Sequence, residues 1–91
     1  MNGKDRITEL LEAAFSPLTV NVVDESDRHK GHAGARPEGE THFRVRIVAE
    51  AFRGKSRVAA HRMVHTALKS EFERGLHALA IDAKAPDLQT Q

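Results

Sequence analysis

The sequence has no cysteine, no tryptophan and no tyrosine among its 91 residues. Without cysteine the chain cannot form a disulfide, use a thiol in catalysis or bind a metal through its own thiolates. The four phenylalanines fall mostly at predicted core positions. Aromatic platforms for stacking unpaired bases are therefore scarce, which disfavours recognition of single-stranded nucleic acid.

Long apolar runs and a strong charge of one sign are also missing. No run approaches the roughly 20 apolar residues that a membrane-spanning helix needs. Residues 1–5 lack an apolar signal core, so we expect a cytoplasmic protein without a membrane partner. A net charge of +1 with 30% charged residues is typical of one globular domain. We expect that domain to occupy residues 1–84, with residues 85–91 forming a tail.

The basic residues are unevenly distributed despite this balance. Six of them lie between positions 44 and 62, against the single acid Glu50: Arg44, Arg46, Arg53, Lys55, Arg57 and Arg62. Such a stretch could contact phosphates, although a solvated sheet face followed by a helix start explains it equally well. No nucleophile–base constellation, glycine-rich phosphate loop or GxxG clamp is visible, so no enzymatic activity is predicted.

The segment 41–48, T-H-F-R-V-R-I-V, alternates apolar and polar residues and predicts the middle strand of a small sheet. Residues 7–15 show the spacing of an amphipathic helix, with Asn2 as its cap and Pro17 ending it. Residues 18–23 alternate again and predict a first strand. Residues 24–40 contain no large apolar side chain and predict a long loop, which in so small a domain is usually functional or disordered.

A second helix is predicted from Ser56 to residue 74, ended by Gly75, and a third strand over residues 76–83. The order is αββαβ, an α+β fold in which the second helix crosses over to place the third strand parallel to the central one. The expected architecture is a three-stranded mixed sheet with two helices on one face. Arg44 and Arg46 should lie on the other, solvated face.

Histidines are the candidate functional residues, because imidazole is a common metal ligand and titrates near neutral pH. His61 and His65 fall on the apolar stripe of the second helix, which favours a structural role in or beside the core. His29 and His32 lie in the glycine-rich loop, where solvated side chains are the simplest alternative. His77 follows the helix-ending glycine and is predicted at the edge of the sheet, where a partly buried polar residue is the simplest reading.

Several motifs together resemble the BolA family over roughly residues 5–84. They are V-D-E-S at 23–26, the loop histidine His29, E-T-H-F at 40–43, F-x-G at 52–54, H-R-M-V at 61–64 and H-A-L-A-I at 77–81. One departure is Ala60, where the family usually has arginine, and it weakens any argument for a basic cluster there. The loop ligand position is cysteine in some members and histidine in others, so this chain resembles the histidine type.

The resemblance implies a fold similar to the class II KH arrangement and a non-enzymatic adaptor that binds a monothiol glutaredoxin. In such pairs a [2Fe-2S] cluster is shared with the glutaredoxin cysteine and glutathione. His77 matches the invariant ligand and His29 the loop ligand, with His32 as a substitute. The free protein is expected to be a monomer or weak homodimer.

The alternative implied by the family is a DNA-binding transcriptional regulator. It would use the second helix, the turn at Gly75 and the third strand, with Arg53, Lys55, Arg57 and Arg62 as contacts. A third reading is a histidine-based metal or haem binder that acts alone.

Overall fold

The computed structural model describes residues 2–25 and 42–86 of the chain. Within them the elements are α1 (Gly3–Phe15), β1 (Thr19–Asp24), β2 (His42–Val48), α2 (Arg57–Ala67), α3 (Lys69–Arg74) and β3 (Ala78–Lys84), with a 3-10 turn at Glu50–Phe52. These residues include no helix that is both long and apolar enough to cross a membrane. The predicted loop at 24–40 lies almost entirely outside the described residues.

The sheet has the predicted α+β topology. Its strand order is β1-β2-β3, so the segment with the clearest alternation is the central strand. The β1–β2 pair is antiparallel and the β2–β3 pair is parallel, with His42 opposite Ala78 at the start of the parallel register. Parallel pairing requires a crossover, which α2 and α3 supply.

The core lies between the helices and one face of the sheet. Phe43, Val45 and Ile47 are buried, whereas Arg44 and Arg46 on the opposite face are exposed. The buried apolar residues form a cluster: Ile7, Leu11, Val22, Phe43, Val45, Ile47, Ala49, Phe52, Ala60, Val64, Leu68 and Leu76. Phe52 also packs on Phe15 with ring centroids 5.0 Å apart, so it turns back onto the core.

The helix ends agree with their sequence signals. The Asn2 side chain accepts a hydrogen bond from the Asp5 N–H at 2.9 Å, and the Ser56 hydroxyl accepts one from Ala59 N–H at 3.1 Å. Each bond satisfies an N–H group that the first helical turn leaves without an intrahelical acceptor. Ser16 takes a left-handed conformation just before Pro17, so α1 ends where proline predicts.

The predicted second helix is instead two helices. At Leu68 the backbone leaves helical geometry, and the Glu71 N–H bonds to the Leu68 carbonyl three residues earlier at 2.9 Å. No glycine or proline occurs there, so the sequence carries no local signal for the break. Beyond the break, in α3, the Glu71 side chain is buried and only 5% exposed.

The sequence pattern predicts Leu18 on the buried side of the first strand and Val58 on the apolar stripe of the second helix, with Met63 pointing elsewhere. The structure differs at all three positions. Leu18 is 68% exposed because β1 begins only at Thr19, so the strand alternation does not extend back to it. Val58 is 57% exposed, whereas Met63 packs against the core. The buried stripe of α2 contains Ala60 and Val64, which turns Val58 toward solvent. Alanine is small enough to lie on either a buried or an exposed surface, so the sequence did not show that the face with Ala60 is the buried face of α2.

Candidate functional site

His77 lies between the end of α3 and the start of the edge strand β3, at the predicted end of the sheet. The strand begins at Ala78 and not at residue 76, and the His77 side chain is exposed where a partly buried one was expected. The chain before it forms a Schellman turn, in which the Leu76 N–H bonds to the Glu71 carbonyl at 3.0 Å and the Gly75 N–H bonds to the Phe72 carbonyl at 3.2 Å. Gly75 has a φ of 123°, which glycine adopts without steric cost. The backbone leading into His77 is therefore held on both sides.

His42 is the residue that the sequence reasoning missed. Its imidazole lies beside that of His77, with ring centroids 5.4 Å apart and an interplanar angle of 57°. His42 shares a strand face with the exposed Arg44 and Arg46, yet it is only 8% exposed. One signal for this contact was available in the sequence. The second and third strands were predicted to be parallel, and parallel neighbours begin at the same end of a sheet, so His42 and His77 should lie close together.

The two loop histidines, His29 and His32, lie outside the described residues, so their predicted role as ligands stays a prediction. The residues that flank this segment are described. The Glu25 N–H donates to the His42 carbonyl at 2.8 Å, which anchors both ends of the segment at the edge where His77 lies. Across residues 2–25 and 42–86, no group of three or more His, Cys, Asp or Glu side chains is arranged to hold a metal ion.

His61 and His65 lie beside the core rather than in it. His65 is exposed and stacks on Phe72, with ring centroids 5.0 Å apart and an interplanar angle of 13°. His61 is half-buried and lines a cavity at the start of α2. Neither of them is close to His77 in the way that His42 is, so the two helix histidines are not part of this candidate metal site.

A basic cavity of about 620 Å³ lies between the start of α2 and the end of β3. Its cationic lining comes from Lys55, Arg57 and Lys84, and Asp82 is the acidic residue in the lining. Lys84 was absent from the predicted DNA-contact set because it belongs to a strand distant in sequence. The parallel pairing of β3 brings it close to the helix start.

The other two predicted DNA contacts are not part of this cavity. Arg53 makes hydrogen bonds of 2.7 and 2.6 Å to the Glu50 carboxylate and one of 3.1 Å to the Pro86 carbonyl. The hydrogen bond from Arg53 lowers the pKa of the exposed Glu50 carboxyl and raises the pKa of Arg53. Arg62 lines a different cavity with Phe15. Of the four, only Lys55 and Arg57 line this cavity.

The comparisons agree with the motifs and the fold. The BolA-like protein family profile matches residues 11–87. The BolA domain of SufE1 from Arabidopsis thaliana superposes with a TM-score of 0.85 at 45% sequence identity, covering 94% of each chain. The profile covers most of the chain and the fold agrees with it, so this chain belongs to the BolA-like family.

Two relatives show different kinds of protein in which this domain occurs. The chain is 48% identical over 85 residues to SufE-like protein 1 of Arabidopsis thaliana, covering 89% of this chain but only 23% of that protein. It is 42% identical over 78 residues to the DNA-binding transcriptional regulator BolA of Escherichia coli, covering 86% of this chain and 70% of the regulator. The same domain therefore occurs both within a longer protein and in a DNA-binding regulator.

Proposed function

We propose that this chain is a non-enzymatic adaptor that binds a monothiol glutaredoxin and shares a bridging [2Fe-2S] cluster with it, in iron–sulfur cluster trafficking or iron/redox regulation. The observation that supports this best is the position of His77, which is exposed at the sheet edge on a backbone held by the Schellman turn and β3. An exposed imidazole on a fixed backbone is suited to complete a ligand set that a second protein provides.

The metal-binding side chains of this chain fit a cluster that is shared with a partner protein, and not a cluster that this chain binds alone. Iron–sulfur clusters are bound mainly through thiolates, and imidazole replaces thiolate in some [2Fe-2S] centres. The chain has no cysteine, so every thiolate must come from the glutaredoxin and from glutathione. His77 would supply one imidazole ligand, and its exposure leaves the partner free to approach.

The loop histidines can reach the same edge. His29 is four residues after Glu25, whose N–H is bonded to the His42 carbonyl. Four extended residues span at most about 14 Å, which limits the distance between the Cα atoms of Glu25 and His29. His77 lies on a backbone that the Schellman turn already holds, so its use as a ligand costs little conformational entropy. We therefore assign His77 the main role and His29, with His32 as its substitute, the secondary one.

Mixing the chain with a monothiol glutaredoxin, iron, sulfide and glutathione tests this proposal. The visible absorption and circular dichroism of the glutaredoxin cluster should change when the chain is added, because imidazole replaces another ligand. The chain without glutaredoxin should hold no stable [2Fe-2S] cluster, since it offers no thiolate. An unchanged spectrum at saturating concentrations of the chain would refute the proposal.

DNA binding is the second candidate function, and the basic cavity favours it. Lys55 and Arg57 at the start of α2 face Lys84 across the cavity, which groups three cationic residues where a phosphate could lie. A relative that is 42% identical is a DNA-binding transcriptional regulator. This role is compatible with the first one, because the cavity residues differ from His42 and His77.

Charge reversal in the cavity should weaken DNA binding in a salt-dependent way. Lys55→Glu and Arg57→Glu should each lower the affinity and make the slope of log K against log salt shallower by about 1. Fluorescence anisotropy with duplex DNA over a salt series measures both quantities. Arg46→Glu is the matched control, because Arg46 is exposed on the open face of the sheet. Equal effects for all three variants would exclude the cavity as the contact surface.

A further inference from the structure

The imidazoles of His42 and His77 contact each other where β2 and β3 begin. Ring centroids 5.4 Å apart are compatible with simple aromatic packing, which spans about 4.5 to 7 Å. They are also compatible with both imidazoles binding one ion. A metal–nitrogen bond of about 2.0 Å puts the ion roughly 3.2 Å from each ring centre, so two imidazoles on a tetrahedral ion lie roughly 5 Å apart.

Both backbones at this contact are already fixed. His42 begins β2, is in register with Ala78, and accepts a hydrogen bond from the Glu25 N–H at 2.8 Å. His77 is held by the turn that ends α3. Binding an ion between the two rings would thus order little additional chain. The exposure of His77 leaves one side of the pair open for further ligands.

We propose that His42 and His77 form a two-imidazole site that binds one transition-metal ion, with its remaining coordination positions open to water or to a partner. Imidazole is suited to Zn²⁺, Ni²⁺, Cu²⁺ and iron. This site binds a single ion in the free chain, and it leaves the ligand roles of His77 and the loop histidines in the shared cluster unchanged.

Zinc titration of the free chain tests the pair without any glutaredoxin. The parent is the full chain with His29, His32 and His65 replaced by alanine, which leaves His42, His61 and His77 of the six histidines. At about pH 8 imidazole is mostly neutral and able to bind. Zn²⁺ is added while the imidazole nitrogens are followed by long-range ¹H–¹⁵N spectra and the affinity by calorimetry.

The expected result is one Zn²⁺ per chain, with the ring signals of His42 and His77 changing together and those of His61 unchanged. His42→Phe retains an aromatic ring but removes both nitrogens. It should lower the affinity for Zn²⁺ at least ~10-fold, which corresponds to about 1.4 kcal/mol of binding free energy. His61→Phe is the matched control and should bind as the parent does.

Two outcomes would overturn the proposal. In one, His42→Phe binds Zn²⁺ as tightly as the parent. In the other, only the His77 ring responds in the parent, which would leave His42 as a packing residue. The response of the imidazole nitrogens is measured in the parent, which retains His42. A folding defect of His42→Phe therefore cannot affect that result. Because glutaredoxin is absent, a negative result here is distinct from a failure to form the mixed cluster.

Discussion

His77→Ala should abolish the distinctive spectrum of the cluster shared with a monothiol glutaredoxin. The substitution removes an exposed imidazole from the sheet edge and leaves the flanking Schellman turn intact, since that turn uses only backbone groups. The fold should therefore survive with a loss of stability of less than about 0.5 kcal/mol, as for other exposed positions. Visible circular dichroism of the mixture and a thermal melt of the free variant give the two readouts.

His65→Ala is the matched control for this experiment. His65 is also an exposed histidine with an aromatic neighbour, Phe72, but it lies on α2 and not at the sheet edge. Its variant should keep the mixed spectrum. Should His65→Ala lose the spectrum while His77→Ala retains it, the sheet edge is not the site at which the cluster is shared.

Arg6→Met should be the most destabilising of the surface-charge variants. Glu71 is buried, and both of its carboxylate oxygens accept hydrogen bonds from Arg6 Nε at 3.2 and 3.1 Å. Removing Arg6 leaves the buried carboxylate with only the weaker Arg74 contact, and the loss of one partner of a buried pair typically costs about 3 to 5 kcal/mol. Because the Arg6 side chain is 25% exposed, we expect about 3 kcal/mol, measured by urea unfolding.

Arg74→Met provides the control, since Arg74 contacts the same carboxylate but more weakly. Its Nε lies 3.7 Å from Glu71 Oε2 and its side chain is 62% exposed. An exposed pair of this kind contributes at most about 1 kcal/mol. The double variant Arg6→Met with Glu71→Met should recover most of the loss, because no charge is then left unpaired. If the double variant is less stable than Arg6→Met, the buried-charge explanation is wrong.

This ion pair also bears on the candidate site. The side chain of Glu71 connects α3 to α1, and its backbone carbonyl accepts the Leu76 N–H that closes the turn before His77. One residue thus holds the helix in place through its side chain and the turn through its main chain. Neither contact could be predicted from the local pattern, in which a glutamate on a helix is expected to face solvent.

Local patterns were enough for most of the fold. Strict alternation at Phe43, Val45 and Ile47 identified the central strand and its buried face. Asn2 and Ser56 were predicted as helix caps, and both make the expected hydrogen bond. These predictions succeeded because each depends on neighbours within about four residues, where backbone geometry leaves few alternatives.

Contacts between distant parts of the chain were settled only when the elements packed. The break at Leu68, the burial of Glu71 against Arg6 from 65 residues away, and the position of Lys84 beside the start of α2 have no local signal. The same holds for His42, which the alternation assigned to the solvated face. It became half of a histidine pair because β2 and β3 run parallel, so their first residues meet at one edge of the sheet.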